Sequence, residues 1–183
     1  MGPLISLIHF SGLSVSLNSS DIAAIKFTCV QAAYSATLST LIAIPVAKAL
    51  KRQKFFGKKF VVLILGAPFI LPVIVAVLGL ILVFGNNGVV NNILSFIGFA
   101  PVKIYGFWGV ILAHIFFNLP LAIRILLQAL NNVPGEHYRL ISSLKLSFVQ
   151  KFFALDWPVV KKVCPGIWAV IFAICLSSFS VAL

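Results

Sequence analysis

The chain has 183 residues, of which 61% are hydrophobic and only 9% are charged. A soluble domain is about half apolar and about a quarter charged, so this composition excludes a water-soluble core and makes lipid the solvent for most side chains. The net charge of +11 does not indicate nucleic-acid binding, because the basic residues lie between the apolar runs and the aromatic residues lie within them.

The N-terminal part of the chain contains the first predicted span, at residues 28–50. Residues 1–20 are mildly apolar and fit a weak extra span, a segment lying on the membrane surface or a frayed start. Because they have no basic region ahead of the apolar stretch and no clear cleavage site, we predict no signal peptide.

Polar and small residues form two stripes on this first span. Gln31, Ser35 and Ser39 recur every four residues and therefore share one face of a helix. The neighbouring stripe of small side chains is suited to close helix packing in lipid; it consists of Ala32, Ala36 and Thr40.

The second predicted span, residues 60–84, is the most continuous apolar run. Pro68 and Pro72 each remove a backbone donor within it, as Pro45 and Pro120 do elsewhere. The following loop, residues 85–104, has five predicted turn residues; these are Asn86, Asn87, Gly88, Asn91 and Asn92. They precede the apolar stretch 93–100, which is too short to span, and we expect that stretch to form a short helix at the outer interface.

The third predicted span, residues 105–130, contains His114 and Asn118 one helical turn apart. Buried polar groups are costly in hydrocarbon, so both side chains should face other helices or a water-filled cavity. Together with Gln31, Ser35 and Ser39, they are candidates either for interhelical hydrogen bonds or for a transport pathway.

A loop of about thirty residues, 131–162, precedes the fourth predicted span at 163–183. Loops of this length usually have structure or function of their own. Apolar residues recur in it at helical spacing and predict an amphipathic helix with the acidic Glu136 in its first turn; they are Tyr138, Ile141, Leu144, Phe148 and Phe152.

The distribution of Lys and Arg predicts the orientation in the membrane. Basic residues cluster in loops 48–59 and 131–162, whereas the loop 85–104 holds only Lys103. The positive-inside rule places loops 48–59 and 131–162 in the cytoplasm, and places the loop 85–104 and the N-terminus outside.

Cys29, Cys164 and Cys175 each lie in an apolar run without a C-x-x-C pair. This odd, unclustered set predicts small buried apolar residues rather than disulfides or a metal site.

The run PGEHYRLISSLKLSFVQKFFALDWP, residues 134–158, resembles the EAA loop of type I ABC importer permeases. Aligned on Pro158, Arg139 stands at the Glu position of that motif, Leu140 and Ile141 at the two Ala positions, and Lys145 at the Gly position. The spacing matches, but these residues depart from the motif, and Lys145 lacks the backbone freedom of glycine.

Permeases for thiamine and its phosphates resemble the chain from Gln31 onward. The stretches that carry the resemblance are QAAYSATLSTLIAIPVAKALKR, LPVIVAVLGLILVFGNNG, LAHIFFNLPLAIRILLQALNNVPGE and FFALDWP. In that family the loop opens with Pro-Gly-Glu, matched here at residues 134–136. The resemblance implies an all-α membrane protein with the MetI-like transmembrane fold, about four spanning helices and a cytoplasmic coupling helix.

The resemblance further implies a permease subunit of the bacterial inner membrane that imports thiamine or its phosphates and is not itself an enzyme. Its partners would be an ATPase subunit that binds ATP and Mg, a periplasmic solute-binding protein, a second permease half and the lipid bilayer, and the chain itself would bind no cofactor. Residues 131–162 would contact the ATPase, through Glu136, Tyr138, Arg139, Ile141, Leu144, Lys145, Phe148 and Pro158.

The same resemblance implies that the chain corresponds to the first half of such a permease, shortened at its C-terminus and trimmed at its N-terminus. Three alternatives stay open: a permease for iron(III), sulfate or another small solute, a non-functional permease fragment, and a membrane enzyme. An enzyme would need a polar cluster near one interface, whereas the sequence offers only three acidic residues, and Asp21 is predicted on the opposite side from Glu136 and Asp156.

Overall fold

The computed structural model describes residues 19–52, 57–103, 105–134, 136–137 and 147–179, and the regular elements in these ranges are helices. They are α1 (Ser19–Arg52), α2 (Lys58–Ile64), a 3-10 turn (Ala67–Phe69), α3 (Val73–Phe84), α4 (Val89–Phe96), α5 (Phe107–Asn131), α6 (Phe148–Lys151), a π-helical turn (Phe152–Asp156) and α7 (Trp157–Phe179). Four segments of the described residues are long and apolar enough to cross a membrane: Ile22–Lys51, Val73–Phe96, Phe107–Asn131 and Val149–Ser177. The predicted all-α membrane architecture with four spans is confirmed.

The core lies where α1 packs against α5 and α7. Helix α1 contributes small side chains that are fully buried, and these allow the backbones to approach closely; they are Ala32, Ala36, Ala43 and Ala47. Larger aliphatic side chains of α5 and α7, such as Leu126 and Ile171, fill the space opposite them. This tightly packed contact between α1, α5 and α7 is called the seam below.

The second predicted span is not a single helix. The chain from 58 to 84 divides into α2, the 3-10 turn and α3. Pro68 and Pro72 are four positions apart and remove two donors one helical turn apart, so the helix ends after Ile64 and restarts at Val73. Pro45 and Pro120, by contrast, lie inside continuous helices.

The connection between α3 and α5 also differs from the prediction. Helix α4 spans Val89–Phe96, so Asn91 and Asn92 are helical rather than turn residues, and the short helix predicted at 93–100 begins four residues earlier. The Asn91 side chain is buried and donates to the carbonyls of Gly85 (2.9 Å) and Val102 (3.0 Å), while its Oδ1 accepts from the Val102 amide (2.8 Å). Asn91 therefore ties both ends of the loop to α4.

The fourth span begins earlier than expected. The predicted connection 131–162 was expected to contain an amphipathic helix that includes Phe148 and Phe152. In the structure residues 148–162 are helical and continuous with α7, so the connection between the spans is shorter than predicted. Pro158 lies in the first turn of α7, where its ring would clash with the carbonyl four residues back in an α-helix. The preceding turn is π-helical, with the Trp157 amide bonded to the Phe152 carbonyl, and its wider geometry relieves that clash.

The cysteines are not uniformly buried, which corrects the sequence prediction. Cys175 is buried, Cys164 is half-buried and Cys29 is exposed on the surface of the described helices. Cys29 lies on the outward face of α1, where a small apolar side chain can meet lipid without an energetic penalty.

Candidate functional site

A cavity of about 580 Å³ lies between α3, α5 and α7. Its walls are mostly apolar, and a volume of this size is typical of small-molecule sites. Polar side chains on the lining come from Tyr105, His114 and Asn118. The one-turn spacing of His114 and Asn118 along α5 therefore places both residues at the same cavity.

Asn118 and His114 differ in their hydrogen bonding. Asn118 is buried, and its Nδ2 donates to Cys175 Sγ on α7 at 3.4 Å. This contact is an interhelical hydrogen bond, one of the two roles expected for Asn118, although the residue also lines the cavity. His114 Nδ1 is buried and has no hydrogen-bond partner among the described residues.

Gln31, Ser35 and Ser39 lie in the seam and not on the lining of the cavity. All three side chains are fully buried, as expected for residues that share one face of α1. Both amide atoms of Gln31 and both hydroxyls lack a partner among the described residues. Unpaired buried polar groups are costly. This stripe therefore places polar atoms inside the seam without hydrogen-bond partners among the described residues.

The predicted coupling residues are only partly within the described ranges. Glu136 is exposed, and Pro158 lies in the first turn of α7. Phe148 begins α6. The remaining predicted residues lie outside the described ranges: Tyr138, Arg139, Ile141, Leu144 and Lys145.

The structure shows a polar contact that was not predicted from the sequence, where the ends of α1 and α5 meet the start of α7. Lys51 Nζ, at the end of α1, donates to the Leu130 carbonyl at 2.6 Å and lies 3.5 Å from Asp156 Oδ1. One turn earlier, Lys48 Nζ lies 3.7 Å from the centroid of the Phe152 ring. Both lysines were interpreted only as loop charges. The sequence feature that could have indicated this contact is Asp156, an acidic residue between Leu155 and Trp157 in a chain with only three acidic residues.

No three His, Cys, Asp or Glu side chains converge on a common point within residues 19–52, 57–103, 105–134, 136–137 and 147–179.

The fold and the cavity define the class: this is a multi-pass, all-α membrane protein. Comparison with known proteins adds the particular resemblance, which is to bacterial transport permeases and foremost to thiamine permeases, as the sequence motifs predicted. No protein-family model matches the chain.

Three relatives illustrate the resemblance. The chain is 39% identical over 161 residues to the thiamine transport system permease protein of Brucella melitensis, covering 86% of this chain and 30% of the relative. It is 39% identical over 163 residues to the thiamine transport system permease protein of Escherichia coli, covering 87% and 30% respectively. A probable sulfate transport system permease protein of a Helicosporidium species is 30% identical over 158 residues, covering 86% and 58%. The chain thus spans about 30% of the length of the thiamine permeases it matches.

Proposed function

We propose that this chain is part of the permease subunit of an ABC importer that translocates thiamine or its phosphates across the bacterial inner membrane. The observation that carries the proposal is the 39% identity to thiamine permeases over 86% of the chain. The cavity beside His114 and Asn118 supports it, since a mostly apolar pocket with a few polar groups suits a small heteroaromatic solute.

In this proposal the energy comes from a partner. A separate ATPase subunit, with ATP and Mg, docks on the cytoplasmic loop between α5 and α6, and a periplasmic solute-binding protein delivers the substrate to the outer face. A second permease half completes the pathway. The loop charges support the corresponding orientation, with loops 48–59 and 131–162 in the cytoplasm and the N-terminus outside.

The test is uptake into proteoliposomes that contain the chain, a complementary permease half, the cognate ATPase and the binding protein. We expect saturable, ATP-dependent accumulation of labelled thiamine and none without ATP. Replacing Asn118 with Leu should lower thiamine uptake, because it removes a polar group from the cavity and breaks the bond to Cys175. The matched control is Asn92→Leu, which changes an exposed asparagine of α4. Absence of ATP-dependent thiamine uptake in the complete assembly would refute the proposed substrate.

A sulfate permease is the second candidate, favoured by the 30% identity to the sulfate relative. Among the described residues, the cavity lining includes His114 but no Lys or Arg, which suits a sulfate dianion less well than a heteroaromatic solute. Labelled sulfate in the same proteoliposomes distinguishes the two: uptake of sulfate without uptake of thiamine would establish the second candidate.

Docking of the ATPase has its own test, which rests on the predicted amphipathic helix. Replacing Ile141 and Leu144 together with Asp should abolish co-purification with the ATPase while the chain stays in the membrane. Ser142→Asp with Ser143→Asp is the control, because it introduces the same charge between the apolar positions. Equal loss of the ATPase from both double variants would show that added charge, not the apolar face, is responsible.

A further inference from the structure

We propose that Lys51 and Asp156 form a positioning clamp between the helix ends. The clamp makes the cytoplasmic end of α7 move together with α1 and α5 when the ATPase acts on the coupling loop, residues 131–162. The proposal rests on the proposed function, because it assigns a role in coupling. Neither residue touches the cavity, so both would act through the helices that they join.

The clamp joins three elements at one point. Lys51 ends the first span, Leu130 lies at the end of α5, and Asp156 closes the π-helical turn before α7. The lysine ammonium is 2.6 Å from the Leu130 carbonyl and 3.5 Å from the Asp156 carboxylate. The Lys51 and Asp156 side chains are only 14% and 10% exposed. A single ammonium group therefore links the ends of all three helices of the seam.

Burial makes this arrangement informative. A buried ion pair is a poor source of stability, since its desolvation offsets much of the attraction, and apolar residues of similar volume often serve as well. What such a pair supplies is a defined geometry, because the ammonium must face its acceptors. The Leu130 carbonyl lies near the end of α5, where it accepts the Val133 amide at 3.4 Å. A carbonyl oxygen has two lone pairs, so it can accept from Lys51 as well.

A second contact from α1 reaches the same turn. Lys48 and Lys51 are three positions apart and lie on one face of α1. Lys48 is placed over the Phe152 ring at the start of the π-helical turn, and Lys51 contacts Asp156 at its end. The two lysines hold the whole of this turn, residues 152–156, against α1.

That turn is the place where α6 could otherwise bend relative to α7. The Trp157 amide donates to the Phe152 carbonyl five residues earlier, as in a π-helix, and Pro158 has no amide hydrogen to donate to the helical hydrogen bonds. Both features mark points where helices bend. With the clamp intact, a push on α6 is passed to α1 and α5; without it, the turn absorbs the movement.

The test compares Asp156→Asn with wild type in the complete importer. We expect ATPase binding within about twofold of wild type, and thiamine transported per ATP lowered about tenfold, within the usual range of coupling between distant sites. Asp156→Glu should restore most of the ratio because it keeps the charge. Lys161→Met, which removes an exposed cation from the same end of α7, should leave the ratio unchanged. A wild-type ratio in Asp156→Asn would overturn the clamp while leaving the proposed function intact.

A distance measurement tests the clamp without any transport. Spin labels at Val149 in α6 and Leu41 in α1, both exposed, should give a narrow distance distribution in a chain whose three cysteines are replaced with Ala. The distribution should broaden in Asp156→Asn and also in Lys51→Gln, which serves if the first variant does not insert. Unchanged widths in these variants would refute the clamp. If wild type does not transport thiamine but the distributions broaden, the proposed function fails and the mechanical role of the clamp stands.

Discussion

The seam and the segment of residues 57–103 are built in opposite ways. The seam consists of long helices whose small side chains are fully buried, and its buried polar groups Gln31, Ser35 and Ser39 have no partners among the described residues. The segment 57–103 consists of short helices with few buried side chains, and its buried Asn91 is hydrogen-bonded three times. The interior of the seam therefore depends mainly on close packing, with hydrogen bonds from Asn118 and Lys51 in addition, whereas a few side-chain-to-backbone bonds hold the segment 57–103. Each region should therefore be sensitive to a different kind of substitution.

The largest expected effect is on the shape of the seam. Ala36→Leu should lower the free energy of unfolding by about 3 kcal/mol, because a fully buried position has no room for the added carbons. Steric trapping in bicelles measures this quantity. Ala49→Leu is the control, since Ala49 is exposed near the end of the same helix. Equal costs at both positions would show that the seam is not selected for close packing.

The next effect concerns the hydrogen bonds that Asn91 makes in the connection between α3 and α5. Asn91→Ala should destabilise the loop by about 2 kcal/mol, since it removes three bonds and leaves the carbonyls of Gly85 and Val102 without this donor. Hydrogen exchange of the Val102 amide, which now donates to Asn91 Oδ1, should accelerate. Asn92→Ala, at the exposed neighbouring position, should leave that exchange rate unchanged. Slow exchange in Asn91→Ala would mean that the loop is held by other contacts.

A smaller effect is expected at the break in the second span. Arg124 Nη2 donates to the Val62 carbonyl at 3.3 Å, next to the point where the helix ends. Arg124→Met keeps most of the side-chain volume and should cost about 1 kcal/mol through loss of this bond. Lys103→Met, between α4 and α5, removes a charge without touching the break. Differential scanning fluorimetry in detergent should give a lower melting temperature for the Arg124 variant only. Equal melting temperatures for the two variants would show that Arg124 does not stabilise the break.

The smallest effect has the opposite sign. Ser39→Ala should raise the free energy of unfolding by about 0.5 kcal/mol, because it removes a buried hydroxyl that has no partner among the described residues. Steric trapping again supplies the measurement, with Thr37→Ala as the contrast. The Thr37 hydroxyl accepts from Trp168 Nε1 at 3.0 Å, so its loss should be destabilising. A destabilised Ser39→Ala would indicate that the hydroxyl is bonded after all.

The sequence predicted the class of fold because hydropathy and loop charge report directly on lipid exposure. It also predicted that Gln31, Ser35 and Ser39 share a face, since helical periodicity is a local property. The break at Pro68 and Pro72 was visible in the sequence, but proline alone does not decide between a kink and an interruption. Pro45 and Pro120 remain inside continuous helices.

Long-range contacts were beyond prediction from the sequence. The bond from Lys51 to the Leu130 carbonyl joins positions 79 residues apart, and no local pattern reports such a pair. The role of Asn91 was missed for a related reason. An Asn near a Gly is typical of a turn, whereas here Asn91 lies in the first turn of α4 and bonds to the chain on both sides of that helix. The cavity likewise depends on how α3, α5 and α7 meet.

The contact of Lys51 with Leu130 and Asp156 has a consequence for the order of biosynthesis. Chains are synthesised from the N-terminus, so Lys51 emerges from the ribosome long before either acceptor. Leu130 becomes available when the third span is made, and Asp156 only as the fourth begins to follow. Until then the ammonium has to remain in water at the membrane surface, which helps to hold α1 in its inserted orientation. Helix α7, which emerges after α1 and α5, thus fixes the position of α1.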